Sequence, residues 1–401
     1  MTGTRFSHFS CHSCGSSVEV FTDQPLESLV ASDCRPVKGS VDIGGCTKCG
    51  LLQKNASAEW KSLCDEIYRG YKIYHQAGGS EQKARGGGSE SKFAPRSELI
   101  ADFIGAGSTL PERGALLDIG CGNGALLRAW NKKYPGWTVV GTDYNETFKR
   151  DVEAIGPSAR FLSNDEFQQH SGEYNLLTLI HCIEHIPSPA AFLADARRFL
   201  REDGVLLVEV PDAELNPFDL TIADHASHFF KSTLYDVVEA AGYDVIACGN
   251  AVLSKEITLL ARPKHSRNLS PVGPKPSRAS KLGRSHVRWL RDVMALGRTL
   301  SERSVKFGIF GTSIAGSWLG SSLPRVDFYV DEDDTRVGRK HLGRPVLGPS
   351  DIPPDATVYV CLEYQLASAI ASRLAGPGRR FVIPPRLGES GDAAGVSASA
   401  S

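Results

Sequence analysis

The stretch LLDIGCGNGALL, residues 116–127, constrains the fold more than any other part of this 401-residue chain. An apolar run ends in a carboxylate, Asp118. It then passes through Gly120, Gly122 and Gly124 at alternate positions and turns apolar again with helical spacing. That pattern reads as strand, tight glycine turn and helix, the first half of a βαβ unit. Glycines let the backbone approach a ligand closely, and a helix start presents free N–H groups. The carboxylate at the strand end attracts a positively charged ligand group and repels a pyrophosphate.

The chain continues in the same alternation. Residues 138–143 read as a second strand ending in Asp143, about 20 residues after the turn, where a carboxylate can accept from two ribose hydroxyls. A helix cap is the plainer role for Asp143. Residues 160–162 give a third strand, with Asp165 near its end and within reach of an adenine edge. Residues 174–181 form a nearly continuous apolar run, as expected of a buried parallel strand, and end in His181. A helix over 190–200, a strand over 204–211, a helix over 231–241 and two last antiparallel strands, 243–248 and 257–261, complete a doubly wound α/β sheet. Ligands on such sheets sit at the carboxyl ends of the strands, where Asp118, Asp143, Asp165 and His181 all fall.

LLDIGCGNG resembles motif I of the class I S-adenosylmethionine-dependent methyltransferases. That cofactor carries an ammonium and a sulfonium, which suits Asp118. The rival is a dinucleotide fold, because Gly120-x-Gly122-x-x-Ala125 also fits the relaxed fingerprint.

Four of the ten cysteines form a pattern. Cys11-x-x-Cys14 and Cys46-x-x-Cys49 are two knuckles, each followed by glycine, and together they predict a four-thiolate zinc ribbon over residues 1–75. Residues 18–21 and 40–43 alternate like its strands. With every position filled by a thiolate, the metal would be structural. Two redox or incidental cysteine pairs are the plainer reading. Tyr68, Tyr71 and Tyr74 then recur at helical spacing, either as a packing face or, for Tyr71 and Tyr74, as an active-site rim. Residues 76–92 are rich in Gly, Ser and charge and read as a linker or lid.

Basic and acidic residues nearly balance, 45 against 46, so charge argues neither for nucleic acid nor for a membrane surface. No stretch reaches membrane-spanning length and the first ten residues hold no apolar signal core, so a cytoplasmic protein is expected. After a methyltransferase domain over 93–262 come a basic linker and helix over 263–303, the linker itself spanning 263–281. A smaller Rossmann-like unit follows over 304–387, with strands at 305–311, 325–330, 357–362 and 380–383 and a turn over 311–316. A small, polar tail, 388–401, reads as disordered.

The candidate catalytic cluster is Asp224-His225-Ala226-Ser227-His228, which falls after the fifth strand on the ligand side. Histidine titrates near neutral pH, and a neighbouring carboxylate can orient it and stabilise its cation. His225 is the expected base, with Asp224 and His228 supporting it or positioning substrate. Capping of the next helix is the plainer reading. Glu184-His185 is the second candidate pair, read as structural.

The two knuckles with the following GLLQ, the motif I loop, Glu184-His185 and DHASHF together resemble the three-part sugar C-methyltransferases that act on nucleotide-linked deoxysugars. The resemblance covers nearly the whole chain. It implies a zinc-binding domain, a central methyltransferase domain and a C-terminal Rossmann-like domain. It also implies a His base preceded by an acid, matched here by His225 and Asp224. The family's tyrosine before that pair is replaced by Ile222, and His228 stands where another tyrosine is common. A small-molecule acceptor follows, a nucleotide-linked keto-sugar methylated at carbon. The alternatives are O-methylation of a saccharide or natural-product hydroxyl, or a zinc-ribbon binding protein on a scaffold methyltransferase fold. Metal analysis should find zinc in the intact protein, and Cys46→Ser should release it and destabilise the N-terminal segment; a preparation without zinc contradicts the ribbon.

Overall fold

The computed structural model describes residues 8–388 apart from 22–25, 27, 72–80, 82, 86–92, 145, 265–275 and 377. Two compact units result, residues 1–281 and 282–401. The expected tail beyond 388, Tyr74, and most of the expected linker over 76–92 lie outside the described residues.

Of the short strands that open the first unit, four share a sheet: β1 (His8–Ser10), β2 (Ser17–Val20), β3 (Ile43–Cys46) and β4 (Leu52–Lys54). The expected strand over 40–43 begins only at Ile43 and runs on into the second knuckle. Helix α1 (Ala58–Arg69) follows, capped by the Ser57 hydroxyl on the Trp60 N–H, and buries Trp60, Cys64 and Ile67 at i, i+4 and i+7.

The methyltransferase sheet follows α2 (Arg96–Gly107). Its elements are β5 (Ala115–Ile119), α3 (Ala125–Lys133), β6 (Thr138–Thr142), β7 (Ala159–Phe161), β8 (Tyr174–Ile180), α4 (Pro189–Ala196) and β9 (Leu200–Pro211). After these come β10 (Ser227–His228), α5 (Lys231–Ala240), β11 (Tyr243–Gly249) and β12 (Glu256–Pro263). The seven strands lie in the order β7-β6-β5-β8-β9-β12-β11. Only β12 runs against the rest: it pairs antiparallel with both β9 and β11, so β11 is parallel to the sheet, where two antiparallel strands were expected. Successive residues of a strand face opposite sides, so Leu116, Leu176 and Val205 enter one core while Leu117, Leu177 and Leu206 enter the other. With both faces covered, only the strand ends are open to a ligand.

β10 does not belong to this sheet. It pairs antiparallel with β4, Ser227 opposite Gln53 and His228 opposite Leu52, and so becomes the fifth strand of the cysteine sheet, ordered β1-β2-β3-β4-β10. More ties join the N-terminal segment to the same loop. Val30 bridges Ile222 and accepts from the Ala223 N–H, Ser32 binds Asp224, and Trp60 Nε1 donates to the Ala223 carbonyl.

The second unit carries most of α6 (Pro276–Arg303) and a six-stranded sheet. Its elements are β13 (Lys306–Phe310), α7 (Ile314–Ser322), β14 (Phe328–Val330), β15 (Lys340–His341), β16 (Arg344–Leu347), β17 (Ala356–Tyr359), α8 (Tyr364–Leu374) and β18 (Arg379–Val382). The strand order is β15-β16-β14-β13-β17-β18. Helix α6 starts inside the expected linker, at Pro276, where proline suits a first helical turn. The turn after β13 is shorter than expected because α7 begins at Ile314. The hairpin of β15 and β16 carries no strong apolar alternation and was not expected.

Lys54, on β4, is wholly buried, and its ammonium donates to the Ile222 carbonyl (2.6 Å), the His225 carbonyl (3.0 Å) and His228 Nε2 (3.0 Å). Removing one partner of a buried charged network leaves the others unpaired, at a cost of about 3 kcal/mol. Lys54→Met should therefore lower the urea unfolding free energy by about that amount; an unchanged midpoint would mean that the loop stands without β4.

Candidate active site

The glycine turn leaves β5 with φ of +77° at Gly120, +51° at Gly122 and +75° at Gly124, a backbone that side-chain-bearing residues rarely adopt. Its N–H groups are largely spoken for. Those of Gly120 and Cys121 donate to the Thr142 carbonyl, that of Gly124 to the Cys121 carbonyl, and that of Gly122 to Asp143 Oδ2 at 2.8 Å. A pyrophosphate needs free donors, and here they are engaged with an acid at their centre. The turn suits a cation-bearing ligand.

Asp118 is buried and accepts from the Thr178 hydroxyl at 2.6 Å; burial pushes its carboxyl up to about 7. Asp143, at the end of β6, binds the turn and also receives the Tyr144 N–H at 2.8 Å. Asp165 stands exposed on the short helix Asn164–Phe167 after β7. His181 follows β8 directly. The donor candidates thus sit at the carboxyl ends of neighbouring parallel strands.

The histidine loop differs from the sequence reading in one respect. The carboxylate on His225 is not Asp224 but Asp219, on the tight turn Pro217–Thr221. Asp219 Oδ1 lies 2.7 Å from His225 Nδ1 and its Oδ2 lies 2.6 Å from His228 Nδ1. Asp224 instead accepts from the Ser32 N–H (2.8 Å) and hydroxyl (2.6 Å), and lies 3.3 Å from His185 Nδ1. Ala223 and Asp224 form a turn closed by the His225 N–H on the Ile222 carbonyl, and the Asp224 carboxylate is taken up by Ser32 and His185. Neither histidine caps α5, whose first turn is closed by the Thr233 hydroxyl on the Phe230 N–H.

The pairings fix the rings. Lys54 donates to His228 Nε2, so His228 carries its proton on Nδ1 and gives it to Asp219. His225 likewise donates from Nδ1, which leaves Nε2 as the basic nitrogen. Burial outweighs Asp219 and holds His225 below its ordinary value, so the ring is neutral at neutral pH. Burial also opposes ionisation of Asp219, but the two histidines keep it well below the carboxylate range.

His185, read as structural, belongs to the same cluster. Its ring meets His225 edge-on at 4.6 Å, and its Nδ1 lies 3.1 Å from both the Tyr68 hydroxyl and the Asp224 carbonyl. Burial works against its cation, yet the Asp224 carboxylate prevails and raises it to about 9. Sequence reasoning also missed Asp219, Lys54 and Tyr68. Asp219 sits in PFDLT with no spacing that marks it, while the other two come from the cysteine segment.

The four knuckle sulfurs gather as a site, all within 4.8 Å of one another. Cys11 and Cys49 Sγ lie 3.6 Å apart, Cys14 and Cys46 Sγ 3.5 Å. A tetrahedral zinc thiolate has edges of about 3.8 Å, and the N–H groups of Lys48 and Cys49 and the Gln53 amide donate to sulfur, as thiolates favour. The residues fit the metal.

Residues 94–247 match a family described as a methyltransferase domain. The chain is 32% identical over 143 residues to a trans-aconitate 2-methyltransferase of Deinococcus radiodurans, covering 35% of this chain and 48% of the relative. It is 28% identical over 118 residues to a ubiquinone biosynthesis O-methyltransferase of Actinobacillus pleuropneumoniae, covering 27% and 50%. The chain spans about half the length of these curated relatives. Among solved structures, the Burkholderia thailandensis 1,6-didemethyltoxoflavin-N1-methyltransferase aligns with TM-score 0.38 and 15% identity, over 53% of this chain and 96% of that one. The central segment is a class I S-adenosylmethionine-dependent methyltransferase domain with a mostly parallel, Rossmann-like sheet. Among the described residues no helix is long and apolar enough to cross a membrane.

His185 gives a pH signature. Its folded value lies above that of a free histidine, about 6.5, so its stabilisation is complete below that pH and is lost as pH rises through about 9. The melting temperature should therefore fall between pH 7 and 9.5, and Asp224→Asn should flatten the fall. An unaltered slope in that variant contradicts the pairing.

Proposed function

We propose that this chain transfers the methyl group of S-adenosylmethionine to carbon of a nucleotide-linked keto-deoxysugar, with His225 as general base. The observation that carries the reading is the neutral, Asp219-anchored imidazole of His225 in a loop beside the donor end of the sheet. Bound S-adenosylmethionine supplies an electrophilic methyl group. Asp118 attracts its ammonium, the glycines admit it closely, and Asp143 accepts from its ribose hydroxyls; Asp165 faces the adenine side.

His225 Nε2 takes the proton from the carbon beside the acceptor carbonyl. Asp219 then steadies the imidazolium, and Lys54 keeps His228 in the tautomer that leaves His225 its share of Asp219. The cationic His185 ring favours negative charge as it grows on the carbonyl oxygen. The carbanionic carbon would take the methyl group with cleavage of its bond to sulfur, which leaves neutral S-adenosylhomocysteine, and the proton leaves His225 to solvent. Supporting a sugar acceptor are the cysteine segment, the DHASHF loop and the third segment in one chain. Residues 1–75, 93–262 and 304–387 are its three functional segments, and zinc in the four thiolates braces the first.

O-methylation of a small-molecule hydroxyl is the second reading, favoured by the similarity to a protein named as a ubiquinone biosynthesis O-methyltransferase. His225 would serve it in the same way. Product NMR separates the two by the methyl chemical shift. His225→Ala should lower turnover by roughly a hundredfold or more while S-adenosylmethionine affinity, read by calorimetry, stays within about twofold. Unchanged turnover removes His225 from the base role.

A further inference from the structure

The rings of His185 and His225 meet at a point that the reaction above uses only in part. Each ring is fixed from behind by a buried carboxylate. Asp219 holds Nδ1 of His225 at 2.7 Å, and Asp224 lies 3.3 Å from Nδ1 of His185, which the Tyr68 hydroxyl and the Asp224 carbonyl also reach. Among the described residues no hydrogen bond reaches Nε2 of either ring. Glu184, on the tight turn Ile183–His185 after β8, is 1% exposed. Its Oε1 lies 3.0 Å from His181 Nδ1, while its Oε2 is buried with no hydrogen-bond partner. Leaving a carboxyl oxygen bare is expensive, and such an atom in a folded protein marks a place for an ion or a water.

One ligand atom from each of Glu184, His185 and His225 lies within 4.8 Å of the other two. That spread suits an ion bonded to nitrogen and oxygen at about 2.0–2.2 Å, whose ligands stand about 3–4 Å apart. Two imidazoles and one carboxylate are a set that zinc and its first-row neighbours take, with a position left open for water. Ligating histidines are oriented by an acceptor on their other nitrogen, and Asp219 and Asp224 supply it here. The neighbouring group Asp219, His225 and His228 is as compact but has no room for an ion. Its atoms bond one another at 2.6 and 2.7 Å, and the Lys54 ammonium takes the far nitrogen of His228. The His185 side chain is 18% exposed, which gives an ion a way in.

We propose that Glu184, His185 and His225 form a second zinc site, separate from the four thiolates, and that an ion there stops methyl transfer by taking the Nε2 lone pair with which His225 removes the proton. The inference rests on the base role given to His225 above. Metal ligands must be deprotonated. Burial opposes the His185 cation, yet Asp224 holds the ring at about 9, and burial pushes Glu184 up to about 8. Each gives up a proton on loading, so two positive charges leave as two enter and the buried cluster keeps its balance. The metal-free chain catalyses; the loaded chain binds S-adenosylmethionine and does not turn over.

The test starts from protein whose thiolate site is filled, with one zinc per chain by metal analysis. Equilibrium dialysis against Zn²⁺ should add one further ion. Co²⁺ offered in its place should give d–d absorption without the thiolate charge-transfer band of a cysteine site. Glu184→Gln should weaken the uptake by about a hundredfold or more, and Asp224→Asn, behind His185, by about tenfold to a hundredfold, with S-adenosylmethionine affinity unchanged in both. Wild-type turnover should fall in step with loading and return when the second ion is dialysed away. Should Glu184→Gln fail to fold, His185→Gln makes the same comparison. Absence of a second ion overturns the proposal, and so does uptake that survives Glu184→Gln, which marks an adventitious ion only. Turnover that a loaded site leaves unchanged or raises overturns the inhibition. The base reading fails separately: turnover retained by His225→Ala refutes it, whatever the dialysis shows.

Discussion

One contact organises the first unit: the pairing of β4 with β10, reinforced by the buried Lys54 ammonium. The histidine loop leaves the end of β9 and has no sheet of its own to rest on. Strand β4 provides the ladder, and Lys54 donates to the His225 carbonyl and adds a second donor to the Ile222 carbonyl, which the His225 N–H also reaches. The same strand serves the cysteine site from the next residue. Gln53 donates to Cys11 Sγ and accepts from the His12 N–H, while Lys54 reaches His228. Adjacent residues on a strand point opposite ways, so one short strand braces the thiolate cluster on one side and the histidines on the other. The cysteine sheet thereby packs as one unit with the histidine loop.

Electrostatics then divides the cluster. His225 and His185 lie edge to face, each beside a buried aspartate, yet they titrate in opposite directions. Asp219 is shared between two histidines and cannot overcome the burial of His225. Asp224 faces a single imidazole and does overcome it. A neutral ring next to a cationic one is an arrangement in which one group removes a proton and the other tolerates developing negative charge. Across the sheet ends, Asp118 and Asp143 add negative charge around a turn whose donors are already bonded, which suits a cationic donor.

Local patterning made the central sheet legible. The apolar runs of β5, β6, β8 and β9 and the three glycines sit in the sequence in the order the fold uses them, and both knuckles announce themselves by spacing. The loop partners were not legible, because they depend on contacts across the chain. Asp219 is six residues from His225 with no spacing that marks it, and Asp224, adjacent in sequence, is engaged by Ser32 and His185. Lys54 is distant in sequence, and no spacing marks it. Its burial follows only once β10 leaves the main sheet, and a two-residue strand leaves no periodic trace. His185 reads as structural beside Glu184, because the carboxylate that charges it is Asp224 on the far loop.

The central claim is that the histidine loop is held from outside by β4. Hydrogen–deuterium exchange on wild type and Lys54→Met tests it most directly. The account predicts that amides over residues 219–230 lose protection in the variant together with β4, while β5, the glycine turn and β6 keep theirs. Unchanged protection over 219–230 would contradict it.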